Sequence, residues 1–318
     1  MGKKRCTRLG FRRWGVAKRC IGWTIGHPDT IGFRIRNVRH LPTSLAPAGN
    51  RPRGCARTYS ESASSPLQKS LKGVPVQMSD NLLLEQNGRM LVATFNRPED
   101  NKVSDGMARE LGAVLTTAHE TSDMVLLKSA GPDFCTGRLR DPDAGPPHPE
   151  AYSRRPEYDS IFYCYQAIRD AQVPVVGVIE GRCMGFGTAA AACCDVSFAS
   201  SNARFNIPEM THQVMPTMVM SALYDRISRN AIMWMTYSAE FIDAQQAMMY
   251  GIVSRAVEAD KLEDEVTKFC ETLLSRPRPG ILGLKEYLRA APNMDPQGAL
   301  DYARTLHSMV NTAAAMKE

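Results

Sequence analysis

One glycine-broken stretch, from Val173 to Phe205, constrains the fold of this chain more than any other. It opens with apolar, β-branched residues in a run too short for an ordinary helix, which predicts a buried strand. Gly185 to Gly187 and an alanine-rich run follow, the pattern of a sharp turn that leads into a helix. The free N–H groups at the start of such a helix suit an oxygen on which negative charge develops. The stretch equally fits a plain strand-turn-helix packing unit.

The positive charge of the chain is concentrated in its first sixty residues. These hold fourteen Lys and Arg side chains and one acidic residue, Asp29, whereas the whole chain of 318 residues carries a net charge of +6. The remainder is therefore mildly acidic, which argues against nucleic acid as the main partner. No apolar run is long enough to cross a bilayer, so we expect no membrane span.

The basic leader, residues 1–77, has two explanations. It is Arg-rich and acid-poor, with Arg57 to Ser60 near its end, which is typical of a mitochondrial transit peptide and a matrix protein. Its apolar residues form no helical stripe, and Met78 stands just before the first strand-like run, which favours an over-extended start and a cytoplasmic protein. With either explanation we expect the leader to lie outside the folded domain.

Beyond the leader, strands alternate with helices before the pattern becomes helical. Asn87-Gly88 between two apolar runs predicts a β-hairpin, and Ser104 predicts the N-cap of an amphipathic helix. A strand over 124–128 runs into a second glycine turn over 131–138, and residues 141–156 are predicted to form a long surface loop. This outline predicts an α/β or α+β domain with a helical C-terminal subdomain.

Three of the nine cysteines lie in the leader, and the other six show neither C-x-x-C spacing nor a histidine at ligand distance. Cys193 and Cys194 are interpreted as small core residues. The pattern predicts a reducing compartment and no structural metal.

Six segments, in order along the chain, resemble the enoyl-CoA hydratase/isomerase (crotonase) family. They are Phe134 to Arg138, Val173 to Gly181, Gly185 to Gly187, Cys194 to Val196, Phe205 to Glu209 and Ala244 to Val253. The resemblance covers about residues 82–310. It implies a spiral of β-β-α units over residues 78–256, a helical region over 257–318 used in a homotrimer or hexamer, and an acyl-CoA thioester as substrate, with no other cofactor.

The resemblance also implies where the thioester oxygen is held. By motif position, the backbone N–H groups of Arg138 and Phe186 would donate to it. Removing a proton beside the thioester gives an enolate, and each such donor contributes roughly 3 to 4 kcal/mol in comparable sites. Because Phe186 stands where the family usually has glycine, its backbone must adopt a negative φ or accept strain.

The acid–base residues depart from the family pattern. Typical hydratases of the family use two glutamates; the second corresponds to Glu209, and Ala189 occupies the position of the first. A single buried carboxylate with a raised pKa can still move a proton between two carbons, as family isomerases do. The plainer interpretation of Glu209 is a solvated acid in the first turn of a helix.

Other residues are candidates for the missing acid or for binding CoA. His212, three residues after Glu209, is the first substitute considered, ahead of Asp143, Glu150 and Asp159. The resemblance implies CoA contacts from a larger set: Asn101, Lys102, Val103, Arg138, Arg140 and Gly185.

Three functions remain open from the sequence. The first is an acyl-CoA enzyme with isomerase-like proton transfer or, with a substitute acid, hydratase activity. The second is a CoA-thioester-binding protein with weakened catalysis, because of Ala189 and Phe186. The third is RNA binding through the basic leader, which the acidic body disfavours.

Overall fold

The computed structural model of the protein describes residues 79–140 and 145–317. The leader and Asp143 lie outside these ranges. The strands are β1 Leu82–Asn87, β2 Met90–Phe95, β3 Val103–Ser104, β4 Met124–Ser129, β5 Arg138–Leu139, β6 Val175–Ile179, β7 Arg182–Met184, β8 Val196–Ser200, β9 Arg204–Asn206, β10 Ile242–Asp243 and β11 Arg255–Val257. The α-helices are α1 Asp105–Thr117, α2 Asp159–Asp170, α3 Phe186–Cys193, α4 Thr217–Leu223, α5 Arg229–Ser238, α6 Ala244–Tyr250, α7 Leu262–Leu274, α8 Arg278–Ala290 and α9 Pro296–Asn311.

The largest sheet has six strands in the order β1-β2-β4-β6-β8-β11. β1 and β2 form the predicted antiparallel hairpin, with Gly88 at a φ of 57° in the turn, and every later pairing in this sheet is parallel. Parallel neighbours require a crossover, and the helices supply it.

The first three crossovers repeat the same unit, which confirms the predicted β-β-α spiral. A long strand in the large sheet is followed by a short strand in a small sheet and then by a helix: β2-β3-α1, β4-β5-α2 and β6-β7-α3. The short strands pair as β3-β5 and as β10-β9-β7. The short strands therefore form two small sheets separate from the large one.

Both faces of the large sheet are covered. Val125 and Leu127 of β4 pack into the main core with α1 and α2, whereas Met124 and Leu126 point to a second cluster that includes Val266 of α7. This alternation follows from the two-residue period of a strand. A strand buried on both faces must be apolar throughout, as β4 is apart from its last two residues.

Several local predictions are confirmed. The Ser104 side chain accepts from the Met107 N–H at the start of α1, and Gly251 ends α6 at a φ of 83°. Cys193 and Cys194 are buried and free, like the other four cysteines of the described ranges.

Other predictions need correction. Gly181 does not lead directly into the helix turn, because β7 intervenes. The predicted loop over 141–156 ends earlier, since Tyr152–Tyr158 forms a 3₁₀ segment. In the predominantly helical C-terminal part, β10 and β11 were not predicted, since two or three residues are too few for a recognisable alternation. No helix in residues 79–140 or 145–317 is long and apolar enough to cross a membrane.

Candidate active site

The two glycine turns that the sequence singled out lie against each other. Cys135 forms a parallel bridge with Cys183 of β7, and the Met184 N–H donates to the Cys135 carbonyl at 2.8 Å. A Cβ added to Gly187 would lie only 2.7 Å from the Cys135 carbonyl oxygen, so this glycine permits the close approach. Folding thus brings the turn before Arg138 next to the start of α3.

The backbone N–H of Arg138 points away from its neighbouring strand. The carbonyl of Gly137 accepts from the Val103 N–H at 2.9 Å, and the peptide is trans. In a trans peptide the N–H of the next residue points opposite to the carbonyl, so the Arg138 N–H is directed away from β3. It is therefore not used to pair β5 with β3.

The N–H of Phe186 points out of the N-terminus of α3. The Gly185 carbonyl accepts from the Ala189 N–H at 3.1 Å and so points into the helix. By the same trans geometry, the Phe186 N–H is directed outward, where the positive end of the helix dipole also lies. The N–H groups of Arg138 and Phe186, on adjacent turns, are thus both left out of strand and helix pairing.

The first turn of α3 is fixed by its neighbours. Gly185 adopts a φ of 48° and a ψ of −106°, a conformation that favours glycine. Thr188 is buried, and its Oγ1 lies 2.7 Å from the Cys183 carbonyl and 3.0 Å from the Asn206 carbonyl. These contacts hold the helix start against β7 and β9.

Phe186 meets the expected backbone requirement without strain, because it is helical with a negative φ. Its ring is buried and stacks on Tyr165, with 5.1 Å between the ring centroids and 28° between the planes, while Phe95 lies edge-on at 6.5 Å. Ala189 is also fully buried. The position that the resemblance assigns to the first glutamate therefore holds a methyl group in a buried helix.

Glu209 lies beside the same turn. A Cβ added to Gly185 would be 2.6 Å from Glu209 Oε1, so the carboxylate sits directly over the residue that precedes Phe186. Oε2 is buried without a hydrogen-bond partner in the described part of the chain. Burial raises the pKa of Glu209, although its own backbone N–H and the charge of His212 act in the opposite direction. The carboxylate is thus not the solvated helix-start acid of the plainer interpretation.

His212 and the loop acids differ from Glu209 in exposure and partners. His212 ends the 3₁₀ segment Glu209–His212 and is exposed, three residues from the carboxylate on the same side of the turn. Glu150 accepts from the Tyr152 and Ser153 N–H groups, and Asp159 accepts from the Tyr163 hydroxyl. The two acids therefore have local structural partners.

Of the residues predicted to contact CoA, Asn101 and Val103 are buried and bonded within the protein. The Asn101 side chain accepts from the Arg97 N–H and donates to the carbonyls of Ala130 and Asp133, at 2.5 and 2.7 Å. The Val103 N–H is bonded to Gly137. Both residues shape the turn before Arg138 and leave no free side-chain donor for a ligand.

The cationic residues of that set differ in availability. The Arg138 guanidinium binds both carboxylate oxygens of Asp105, at 3.0 and 2.8 Å, so its charge is already paired. Lys102 is 42% exposed and lies 3.3 Å from Asp100, and Arg140 donates to the Gly145 carbonyl at the surface. Lys102 and Arg140 are therefore the more accessible cations near the first turn.

Tyr165 packs against the start of α3 and was not among the residues singled out from the sequence. It lies on the buried face of α2, between Ile161 and Ile168. A hydroxyl on an otherwise apolar helix face was the signal that could have identified it. No group of three His, Cys, Asp or Glu side chains with metal-binding geometry occurs within residues 79–140 and 145–317.

Known proteins resemble this chain in both sequence and fold. Residues 85–318 match the model of the enoyl-CoA hydratase/isomerase family. The chain therefore belongs to the enoyl-CoA hydratase/isomerase family. The predicted fold class, a crotonase-like spiral with a helical C-terminal subdomain, is confirmed.

Among individual proteins, the chain is 26% identical over 243 residues to a "probable enoyl-CoA hydratase" of Rhizobium meliloti (strain 1021), covering 75% of this chain and 93% of the relative. The solved structure of Pseudomonas aeruginosa AtuE has a TM-score of 0.69 and 26% identity, covering 75% of this chain and 94% of that one. A Thermobifida fusca protein solved in complex with CoA has a TM-score of 0.65 and 22% identity, covering 72% and 92%.

Proposed function

We propose that the protein transfers a proton at the carbon next to the carbonyl of an acyl-CoA thioester, with Glu209 as its single carboxylate. One observation carries this proposal: the Glu209 carboxylate lies against Gly185, beside the outward N–H of Phe186. An oxygen held by the N–H groups of Arg138 and Phe186 would place its neighbouring carbon near this carboxylate. Relatives named as enoyl-CoA hydratases support the same class of substrate.

The favoured reaction is isomerisation of a 3-enoyl-CoA to a 2-enoyl-CoA. Glu209 takes a proton from the α-carbon, and the bond electrons form an enolate whose oxygen accepts from the two N–H groups. The double bond then moves into conjugation as Glu209 returns the proton to the γ-carbon. One carboxylate is sufficient because it is a base in the first step and an acid in the second.

A carboxyl that exchanges protons in both directions works best when its pKa lies near the working pH. Burial moves the pKa of Glu209 upward, toward neutrality. The unpartnered Oε2 keeps one oxygen available for the proton. Both observations favour acid–base use of this carboxylate.

Hydration of a 2-enoyl-CoA is the second candidate, favoured by the name of the Rhizobium relative. It needs a group that activates water at the β-carbon, and Ala189 cannot do so. His212 is close enough in sequence to be tested for this role, but its exposure disfavours it. We therefore rank hydration below isomerisation.

For the rest of the substrate, we propose that Lys102 and Arg140 face the CoA phosphates, while Asn101, Val103 and Gly185 position the turns. Lys102 and Arg140 are cationic and accessible near the first turn, which supports this assignment. Assembly as a trimer or hexamer, and the cytoplasmic or mitochondrial location, stay predictions. The location depends on residues 1–77, which lie outside the described residues.

The test is a paired assay on the full chain, with a 3-enoyl-CoA followed for gain of conjugation and a 2-enoyl-CoA for its loss. Glu209→Gln should lower the turnover number for isomerisation by about 10² to 10⁴-fold, the usual contribution of a general acid–base group. Binding of a saturated acyl-CoA, measured by calorimetry, should stay within about twofold.

Glu240→Gln is the matched control, because Glu240 is exposed and lies outside the site. It should leave both rates unchanged. An undiminished isomerisation rate in Glu209→Gln would refute the assignment of Glu209. Binding of acyl-CoA by the unaltered chain without either reaction would instead support a thioester-binding protein.

A further inference from the structure

A cavity of about 1150 Å³ lies between α7, α8 and one end of the large sheet. Pro174, just before β6, and Asp195 and Val196, where β8 begins, line it at the sheet. Because β6 and β8 run parallel, both start at the same end of the sheet, whereas the turn at Gly181 follows the other end of β6. The cavity is therefore separate from the candidate active site, and Glu209 does not line it.

Several distant parts of the chain form the walls of this cavity. Besides the sheet, it is lined by the last turn of α2, by residues 224–226 after α4, and by α7 and α8. Its volume is slightly above the range of about 300–1,000 Å³ that is usual for small-molecule sites. A concavity with walls on several sides suits a small molecule better than a flat protein partner.

One wall of the cavity is apolar. Ile281, Leu284 and Leu288 of α8 line it at helical spacing, and Phe269 and Leu273 of α7 line it beside them. Leu284 and Leu288 are each 62% exposed, so this wall is in contact with water. An apolar group bound here would be stabilised, because it removes these side chains from water.

The charged residues that line the cavity do not balance. Each of its three acids is paired with one of its cations: Asp225 with Arg169, Asp195 with Lys285 at 2.7 Å, and Asp170 with Arg289 at 3.8 Å. The other two cations, Arg226 and Arg276, form no salt bridge with a residue of the described ranges. The cavity therefore carries two positive charges in excess.

The excess charge acts on a buried group in the wall. Lys285 is 9% exposed, and burial lowers its pKa, while the charge of Asp195 opposes the change. The charge of Arg226 adds to the lowering, so Arg226 is within electrostatic range of Lys285. A negative group beside Arg226 would offset the repulsion between these two cations.

We infer that this cavity binds an amphipathic anion, a carboxylate with a long apolar chain, and that Arg226 binds the carboxylate while the chain lies along Leu284 and Leu288. A guanidinium matches a carboxylate with two parallel hydrogen bonds. Arg276, between α7 and α8, adds to the positive charge of the cavity. The inference goes beyond the proposed function, because this site lies apart from Glu209.

The experiment measures binding of dodecanoate to the full chain by calorimetry, at concentrations below micelle formation. Dodecanol, with the same chain and no charge, should bind at least about 10-fold more weakly, because a hydrogen bond to a charged group is lost. Butanoate, with eight fewer methylene groups, should bind at least about 100-fold more weakly. Saturating butanoyl-CoA should leave dodecanoate binding unchanged, since the two sites are separate.

Two variants distinguish the carboxylate from the chain. Arg226→Gln should weaken dodecanoate about 10-fold and leave dodecanol within about twofold. Leu284→Gln should weaken both ligands alike, because the apolar wall is shared. Arg229→Gln is the matched control, since Arg229 is exposed in the next helix and does not line the cavity. It should bind both ligands as the unaltered protein does.

Three results would overturn the inference: equal binding of dodecanoate and dodecanol, unchanged dodecanoate binding in Arg226→Gln, or displacement of dodecanoate by butanoyl-CoA. Binding to vesicles of phosphatidylglycerol without binding of dodecanoate would also overturn it, in favour of a phosphate head group. None of these results bears on Glu209, whose role is tested by the isomerisation assay.

Discussion

The charged side chains beside the two ends of α3 differ in how they are paired. At its N-terminus, Glu209 lies beside Gly185 with one carboxylate oxygen buried and unpaired. Just past its C-terminus, the ammonium of Lys285 donates to Asp195 at 2.7 Å and to the Val173 carbonyl at 2.9 Å. The helix has eight residues and is about 12 Å long, with an unpaired carboxylate oxygen beside its first turn and a paired ammonium just past its last.

On the proposed function, this difference separates a catalytic group from a structural one. Lys285 anchors α8 to the start of β6 and lies near the negative end of the α3 dipole, where a cation is stabilised. Glu209 costs stability, because burial desolvates its carboxylate and Oε2 has no hydrogen-bond partner in the described part of the chain. Proteins keep such unfavourable groups mainly where an activity needs them.

The largest expected effect comes from removing the Lys285–Asp195 ion pair. Lys285→Met should lower the free energy of unfolding by about 3 kcal/mol, because Asp195 loses its cation at a largely buried junction. Urea denaturation measures this loss. The proposed isomerase activity per folded molecule should not change, since the pair lies at the other end of the helix.

Asp195→Asn, added to Lys285→Met, is the control for the paired end. It removes the stranded charge and retains an acceptor for the Val175 N–H, which Asp195 binds at 2.7 Å. Part of the lost stability should return. A loss below about 0.5 kcal/mol in Lys285→Met alone would mean that the junction is no stronger than a surface ion pair.

A second variant adds a carboxylate to α3 at Ala189. Ala189→Glu should lower the free energy of unfolding by about 2 kcal/mol, because the methyl group it replaces is fully buried. If its carboxylate reaches the site, hydration of a 2-enoyl-CoA should rise by about 10²-fold, as expected for a new acid–base group. Ala189→Gln should show the same destabilisation without the gain in hydration. Equal hydration rates in the two variants would exclude proton transfer by residue 189.

The smallest effect concerns the intrinsic cost of Glu209. Glu209→Gln should raise the free energy of unfolding at neutral pH by about 0.5 to 1 kcal/mol, as removal of an unfavourable active-site group commonly does. Folding raises the pKa above its ordinary value of 4.5, so the folded state binds the proton more tightly. The stability of the unaltered protein therefore falls as the pH rises from about 4.5 to the folded pKa.

Thermal denaturation of Glu209→Gln and of the unaltered protein over a pH series tests the stability cost of the Glu209 carboxylate. The difference between Glu209→Gln and the unaltered chain should shrink as the pH falls toward and below about 4.5, where the carboxyl becomes protonated in both states. Glu240→Gln, at an exposed position, should show no such trend. A difference that grows toward low pH would contradict a raised pKa for Glu209.

Local sequence determined the parts of this protein that depend on neighbouring residues. Asn87-Gly88 specified the hairpin, Ser104 the start of α1, and Gly185 to Gly187 the turn before α3, because backbone conformation and capping act over a few residues. The motif order was sufficient to identify the family and to single out Glu209 as a candidate carboxylate.

Only the tertiary structure decided which polar groups are paired. Lys285 and Asp195 are 90 residues apart in the chain, and Arg138 and Asp105 are 33 apart, so no local pattern indicates either pair. The burial of Asn101 and the stacking of Tyr165 on Phe186 likewise arise where separate β-β-α units meet. Periodicity predicts which face of an element is buried, whereas the partner of a buried group is fixed only when distant elements pack together.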